Sequence, residues 1–130
     1  MTPVAGSTGR VDLMVTEEFT AAAVGSGLVP GLSTPTMVGL MEGAAVAAIG
    51  GQLDEGTTTV GSRLEVEHLA PTPVGMRVVA EAVLESVEGR RLNFVVRAWD
   101  EVGEIGRGKH VRYVVDLAAF AERLRTRTAG

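Results

Sequence analysis

The sequence predicts an α+β domain, an antiparallel sheet of about five strands wrapped around one central helix, with a further helix at the C-terminus. Three observations predict it. The stretch STPTMVGLMEGAAVAAIGG (33–51) is apolar almost throughout and carries helix signals at both ends. From residue 57 to 115 the chain is a run of strand-like segments separated by short turns rich in glycine or proline. Each segment presents an apolar face, which is what a buried helix needs to pack against.

The elements follow in order. Residues 1–9 are mostly Pro, Gly, Ser and Thr and read as a flexible tail, leaving 10–130 as a single domain. Residues 10–16 place Val11, Leu13 and Val15 on one face of a first strand. A short helix is expected over 17–24, then a breaker-rich loop, GSGLVPGL, over 25–32. The central helix opens with Ser33 or Thr34 as its cap and Pro35 in the first turn, where a missing N–H costs nothing. It closes on Gly50-Gly51. In the strand over 57–69, Leu64, Val66 and His68 point one way and Arg63, Glu65 and Glu67 the other. The turn APTPVG precedes three long segments, 76–87, 90–100 and 105–115, joined as hairpins. Leu117, Phe120, Ala121 and Leu124 recur at helical spacing over 116–127. A helix that is apolar all round and a sheet with one apolar face satisfy each other when the sheet curls about the helix, the hot-dog arrangement. Such a sheet leaves an open edge, so a homodimer or higher homo-oligomer is expected.

Composition bounds the function. A chain of 130 residues, 45% apolar and 22% charged, holds one proper core. A net charge of −4 argues against nucleic acid as a partner. With no cysteine and two histidines, thiolate chemistry is excluded and no metal site is expected. No basic segment followed by an apolar run opens the chain, and the apolar run 37–49 is too short to span a bilayer. A soluble, cytoplasmic protein without membrane contact is the expectation.

Glu42 is the only charged residue between Phe19 and Leu53. Either it faces a wet edge or caps a neighbouring strand, or it is a site carboxylate poised to accept a proton. His68 is either a satisfied core residue or, because the same core holds Glu42, its partner in a site. Thr34 lies eight residues before Glu42, about 12 Å along the axis, as a cap, a site hydroxyl or both. Arg90, Arg91, Arg107, Lys109 and Arg112 form either a solvated sheet face or a cradle for a phosphate-bearing ligand. His110 reads as exposed and structural, on the face opposite Val111, Tyr113 and Val115.

Three segments, TMVGLMEGAAV (36–46), VEHLAPTPVGMRV (66–78) and SVEGRRLNFVVRAWDEVGEIGRGKHVRY (86–113), resemble the fluoroacetyl-CoA thioesterase family of single hot-dog proteins. The resemblance covers about 33–130 and implies hydrolysis of acyl-CoA thioesters in a homodimer with sites at the subunit interface. No cofactor is implied, since coenzyme A is part of the substrate. The resemblance carries the catalytic roles onto Thr34, Glu42 and His68. It puts an acyl-pocket glycine N–H on Gly61 and a pocket arginine on Arg112, although strand parity sets Arg112 on the polar face. The family's phenylalanine-rich lid, associated with selectivity for a fluorinated acyl group, has no counterpart. Leu28, Val29 and Leu32 stand in its segment, with Leu28 as the substrate-binding residue. The rival function on the same fold is a non-catalytic acyl-CoA-binding or sensing module.

Overall fold

The computed structural model describes residues 1–129. Five strands, β1 (Thr8–Met14), β2 (Thr57–His68), β3 (Arg77–Glu88), β4 (Arg91–Trp99) and β5 (Glu104–Asp116), form one sheet in the order β1-β3-β4-β5-β2. Every neighbouring pair is antiparallel. The sheet holds helix α2 (Thr34–Ala48), with a one-turn helix α1 (Ala21–Val24) before it and α3 (Leu117–Thr126) at the end. This is the predicted architecture, with the hairpin meander in place.

Alternation does the work in β3 and β4. Val78, Ala80, Ala82 and Leu84 from one strand, and Leu92, Phe94, Val96 and Ala98 from the other, are buried against Met37, Met41, Ala44, Ala45 and Ala48 of α2. Burying each large side chain contributes about 1.5–3 kcal/mol, while the alanines let the helix axis come close to the sheet. The other side of α2 is uncovered: Gly39 and Ala47 are exposed, and Val46 is half exposed. A helix read as apolar all round is therefore buried on one side only by its own sheet. No helix among the described residues is long and apolar enough to cross a membrane.

Among the glycines that face α2, Gly9 in β1 approaches it most closely. A Cβ there would lie 2.3 Å from both the Ala44 carbonyl oxygen and the Ala48 amide nitrogen of α2. Backbone atoms cannot yield as a flexible side chain does, so Gly9→Ala is expected to destabilise the fold by about 1–3 kcal/mol. Thermal melting should show a drop of several degrees, whereas Gly103→Ala, with nothing within 4 Å, serves as the neutral control.

Three expectations are corrected. The segment 1–9 is not a loose tail: β1 starts at Thr8, the Val4 N–H donates to Gln52 Oε1 at 2.8 Å, and Gly6 N–H donates to the Leu84 carbonyl at 2.7 Å. The expected helix over 17–24 is split into a 3₁₀ turn, Glu17–Phe19, and α1. Thr20 splits it by donating its hydroxyl to the Glu17 carbonyl and accepting from the Ala23 N–H, a local bonding pattern that competes with a continuous helix. His110 is not exposed. It is fully buried, and Arg112 is nearly so, because β5 turns Gly106, Gly108, His110 and Arg112 inward. Phe94 and Leu92, both core residues, sit directly opposite His110 and Arg112.

Candidate active site

Two clusters form along α2. The first lies at its N-terminus. Ser33, fully buried, is the cap: its hydroxyl oxygen accepts from the Thr36 N–H at 3.2 Å. That leaves the Thr34 hydroxyl free of capping duty. It sits 2.8 Å from Nδ1 of His68, the last residue of β2. With the hydroxyl donating, Nδ1 carries the lone pair and Nε2 the proton. Nε2 is buried and has no partner among the described residues. Burial pulls the His68 pKa below its ordinary value of 6.5, outweighing an interaction with the Ala70 backbone that raises it, which favours the neutral ring at pH 7. Thr34 and His68 open onto a cavity of ≈ 450 Å³ whose walls include Leu28, Val29, Leu32 and Leu69. Leu28 stands at the rim, 96% exposed.

The second cluster lies two turns further on. Arg112 Nη1 is 3.3 Å from Glu42 Oε2. Arg112 is held from its other side by Thr59, whose hydroxyl accepts from Nε at 2.9 Å and whose carbonyl accepts from Nη2 at 3.1 Å. His110 Nδ1 is 2.8 Å from the Arg63 carbonyl. A carbonyl only accepts, so Nδ1 bears the proton and Nε2 accepts from Arg112 Nη1 at 3.1 Å. Burial lowers the His110 pKa, reinforced by the positive charge of Arg112, and keeps the ring neutral. Its 4.0 Å separation from Glu42 Oε2 is thus proximity, not an ion pair.

Gly61 faces this cluster. It is paired with Arg112 across the β2–β5 ladder, next to a bulge between Gly61 and Arg63. A Cβ at Gly61 would lie 2.5 Å from Glu42 Oε2 and 3.2 Å from both Arg112 Nη1 and His110 Cε1. The space a side chain would fill is bounded by those three groups.

The structure therefore brings Thr34 to His68, and Glu42 to Arg112 and Gly61. It does not bring Glu42 to His68: within one chain they share no hydrogen bond or ion pair among the described residues. The carboxylate expected to pair with the imidazole is paired with a guanidinium. Arg112 lies inward, as the family resemblance implied and against the strand parity. His110, expected to be exposed and structural, is a buried site neighbour, and so is Thr59, which carries no signal in the sequence. The alternation Gly108-His110-Arg112 was the available signal, masked because two glycines on that face carry no side chain. Arg91, Arg107 and Lys109 stay on the outer face, Arg91 donating to Asn93 and Arg107 pairing with Glu104 at 3.2 Å.

Comparison with known proteins places these clusters in a family. A family model described as fluoroacetyl-CoA-specific thioesterase matches residues 15–118. A fluoroacetyl-CoA thioesterase of Streptantibioticus cattleyicolor is 46% identical over 96 residues, covering 74% of this chain and 69% of that one. A solved structure of the fluoroacetyl-CoA thioesterase FlK superposes with a TM-score of 0.90 at 37% identity, over 96% of this chain and 97% of that one. A thioesterase superfamily member from Thermus thermophilus superposes with a TM-score of 0.87 at 34% identity, over 94% and 90%. The match spans α2 and every residue of both clusters, and the chain belongs to the fluoroacetyl-CoA-specific thioesterase family of hot-dog proteins.

Proposed function

We propose that the protein hydrolyses short-chain acyl-CoA thioesters to the free acid and coenzyme A, as a cytoplasmic homodimer. The observation that carries this reading is the 2.8 Å contact between the Thr34 hydroxyl and a neutral His68 at the mouth of an apolar cavity. A hydroxyl donating to a neutral imidazole is a nucleophile beside its base. His68 Nδ1 takes the proton of Thr34, or of a water that Thr34 orients, as the oxygen attacks the thioester carbonyl. The imidazolium so formed returns that proton as the coenzyme A thiolate leaves. Where Thr34 itself attacks, a water deprotonated by the same nitrogen then cleaves the acyl-Thr34 ester, giving the free acid and restoring the hydroxyl. In the dimer, the partner's Gly61 N–H polarises the carbonyl oxygen and the partner's Arg112 contributes positive charge there, while Leu28 covers the acyl group.

The unpartnered His68 Nε2–H supports the dimer. An imidazole base works best when its second nitrogen donates to a carboxylate, which orients the ring and stabilises its charged form. Each chain has an uncovered β2 edge beside the bare side of α2. We infer that two β2 edges pair antiparallel about a two-fold, in the register that brings His68 to the partner's Gly61 and hence to the partner's Glu42. Glu42 then serves across the interface as the acid partner of the base.

A thiol-release assay over a panel of acyl-CoA thioesters tests the reading. Turnover of the short members supports it; acyl-CoA raising the melting temperature with no thiol released would make the protein a binding module. The pH profile is a second check. His68 acts as a base only when neutral, so kcat/KM should fall as pH drops through a pKa below 6.5 and level off at neutral pH.

A further inference from the structure

We propose that His110 is the positioning residue of Arg112, a buried neutral acceptor that fixes the guanidinium so that Nη1 faces Glu42 and the space before Gly61. The inference rests on the reading above only in placing that space within the substrate pocket.

The geometry leaves His110 one role. Its ring is 0% exposed, so it meets no solvent. Nδ1–H is committed to the Arg63 carbonyl on the neighbouring strand, which locks both the tautomer and the ring plane. The remaining lone pair on Nε2 meets Arg112 Nη1 at 3.1 Å. Nη1 has two hydrogens; His110 takes one and Glu42 Oε2 the other at 3.3 Å. Thr59 fixes Nε and one Nη2 hydrogen. Four of five donors are thus held, and the second Nη2 hydrogen has no partner among the described residues. An arginine clamped this way presents its charge without the rotamer freedom that a long side chain otherwise keeps. Removing the His110 acceptor orphans a buried Nη1–H and loosens the guanidinium at the point where it meets Glu42.

The shape of the site agrees. His110 Cε1 and Arg112 Nη1 would each lie 3.2 Å from a Cβ at Gly61, so the imidazole edge is also a wall of the vacant space. Of the charged groups near the ring, Glu42 and Arg112 are the two that act on it electrostatically, and they oppose one another.

The test compares His110→Gln, whose side-chain oxygen reaches the Nε2 position and still accepts, with His110→Leu, which keeps bulk but cannot accept. Nitrogen NMR of the wild type should show His110 protonated at Nδ1 only, with an Arg112 side-chain resonance protected from solvent exchange. Leu should abolish that protection and Gln should retain it. In thiol release, Leu should lower kcat/KM about tenfold, the order expected for one buried hydrogen bond lost. Gln should restore most of the loss, and Leu should have no further effect in an Arg112→Gln background. Unchanged Arg112 protection in a folded His110→Leu protein would overturn the proposal. So would a Leu penalty that persists in full without Arg112, since that is the mark of a general packing role. A wild type that releases no thiol would end the hydrolase reading, and the NMR arm would still decide His110.

Discussion

Replacing His68 with glutamine lowers kcat/KM for acyl-CoA hydrolysis by about 10²–10⁴-fold, the range for losing a positioned base. Glutamine keeps a hydrogen-bonding group of similar reach beside the Thr34 hydroxyl, so the fold and the cavity survive while proton acceptance does not. The melting temperature should stay near that of the wild type, because His68 sits at the end of β2 and only half inside the core. The acidic limb of the pH profile should disappear with the activity. A folded His68→Gln protein with wild-type turnover would remove His68 from the chemistry, and with it the meaning of the 2.8 Å contact to Thr34.

Glu42→Gln should also cut turnover by orders of magnitude, yet for a different reason. It leaves Arg112 facing a neutral amide at the 3.3 Å contact and, in the proposed dimer, leaves His68 Nε2–H without the partner's carboxylate. The dimer should form as before, since the substitution preserves side-chain shape on a partly exposed position. If the carboxylate serves the opposite subunit, mixing inactive Glu42→Gln and His68→Gln chains should restore part of the activity. A hybrid dimer keeps one site with its own His68 and Thr34 and a partner's Glu42 intact. Mixed dimers as inactive as either parent would place all three groups in one chain's site.

Much of this molecule is legible in the sequence because its core is periodic. The apolar run of α2 and the alternation in β3 and β4 fix the sheet-around-helix arrangement with no long-range information. Glu42 and His68 stand out for a related reason: each is a titratable group on an apolar background. What the sequence hides is which partner each one finds. Glu42 and Arg112 are 70 residues apart and meet only through the β2–β5 register and its bulge at Gly61. Strand parity assigns His110 and Arg112 to the outer face because Val111, Tyr113 and Val115 alternate with them, and valine is ordinarily the inward residue. In β5 the inner face is instead made of glycines and a mutually satisfied polar pair, a pattern that carries no apolar signal. The choice between Ser33 and Thr34 as the cap was open for a simpler reason, since both can cap; the buried Ser33 takes the role and so releases Thr34.

The account stands on the Thr34–His68 pair as the reacting centre. Its most direct test is free-thiol release from acetyl-CoA by the wild type, by Thr34→Ala, by His68→Gln and by the double variant, all of matched melting temperature. The pair acting as one unit predicts steady turnover by the wild type and a double variant no slower than the worse single variant, because removing either member already disables both. A double variant that turns over like the wild type would show that the thioester is cleaved somewhere other than at this hydroxyl and imidazole.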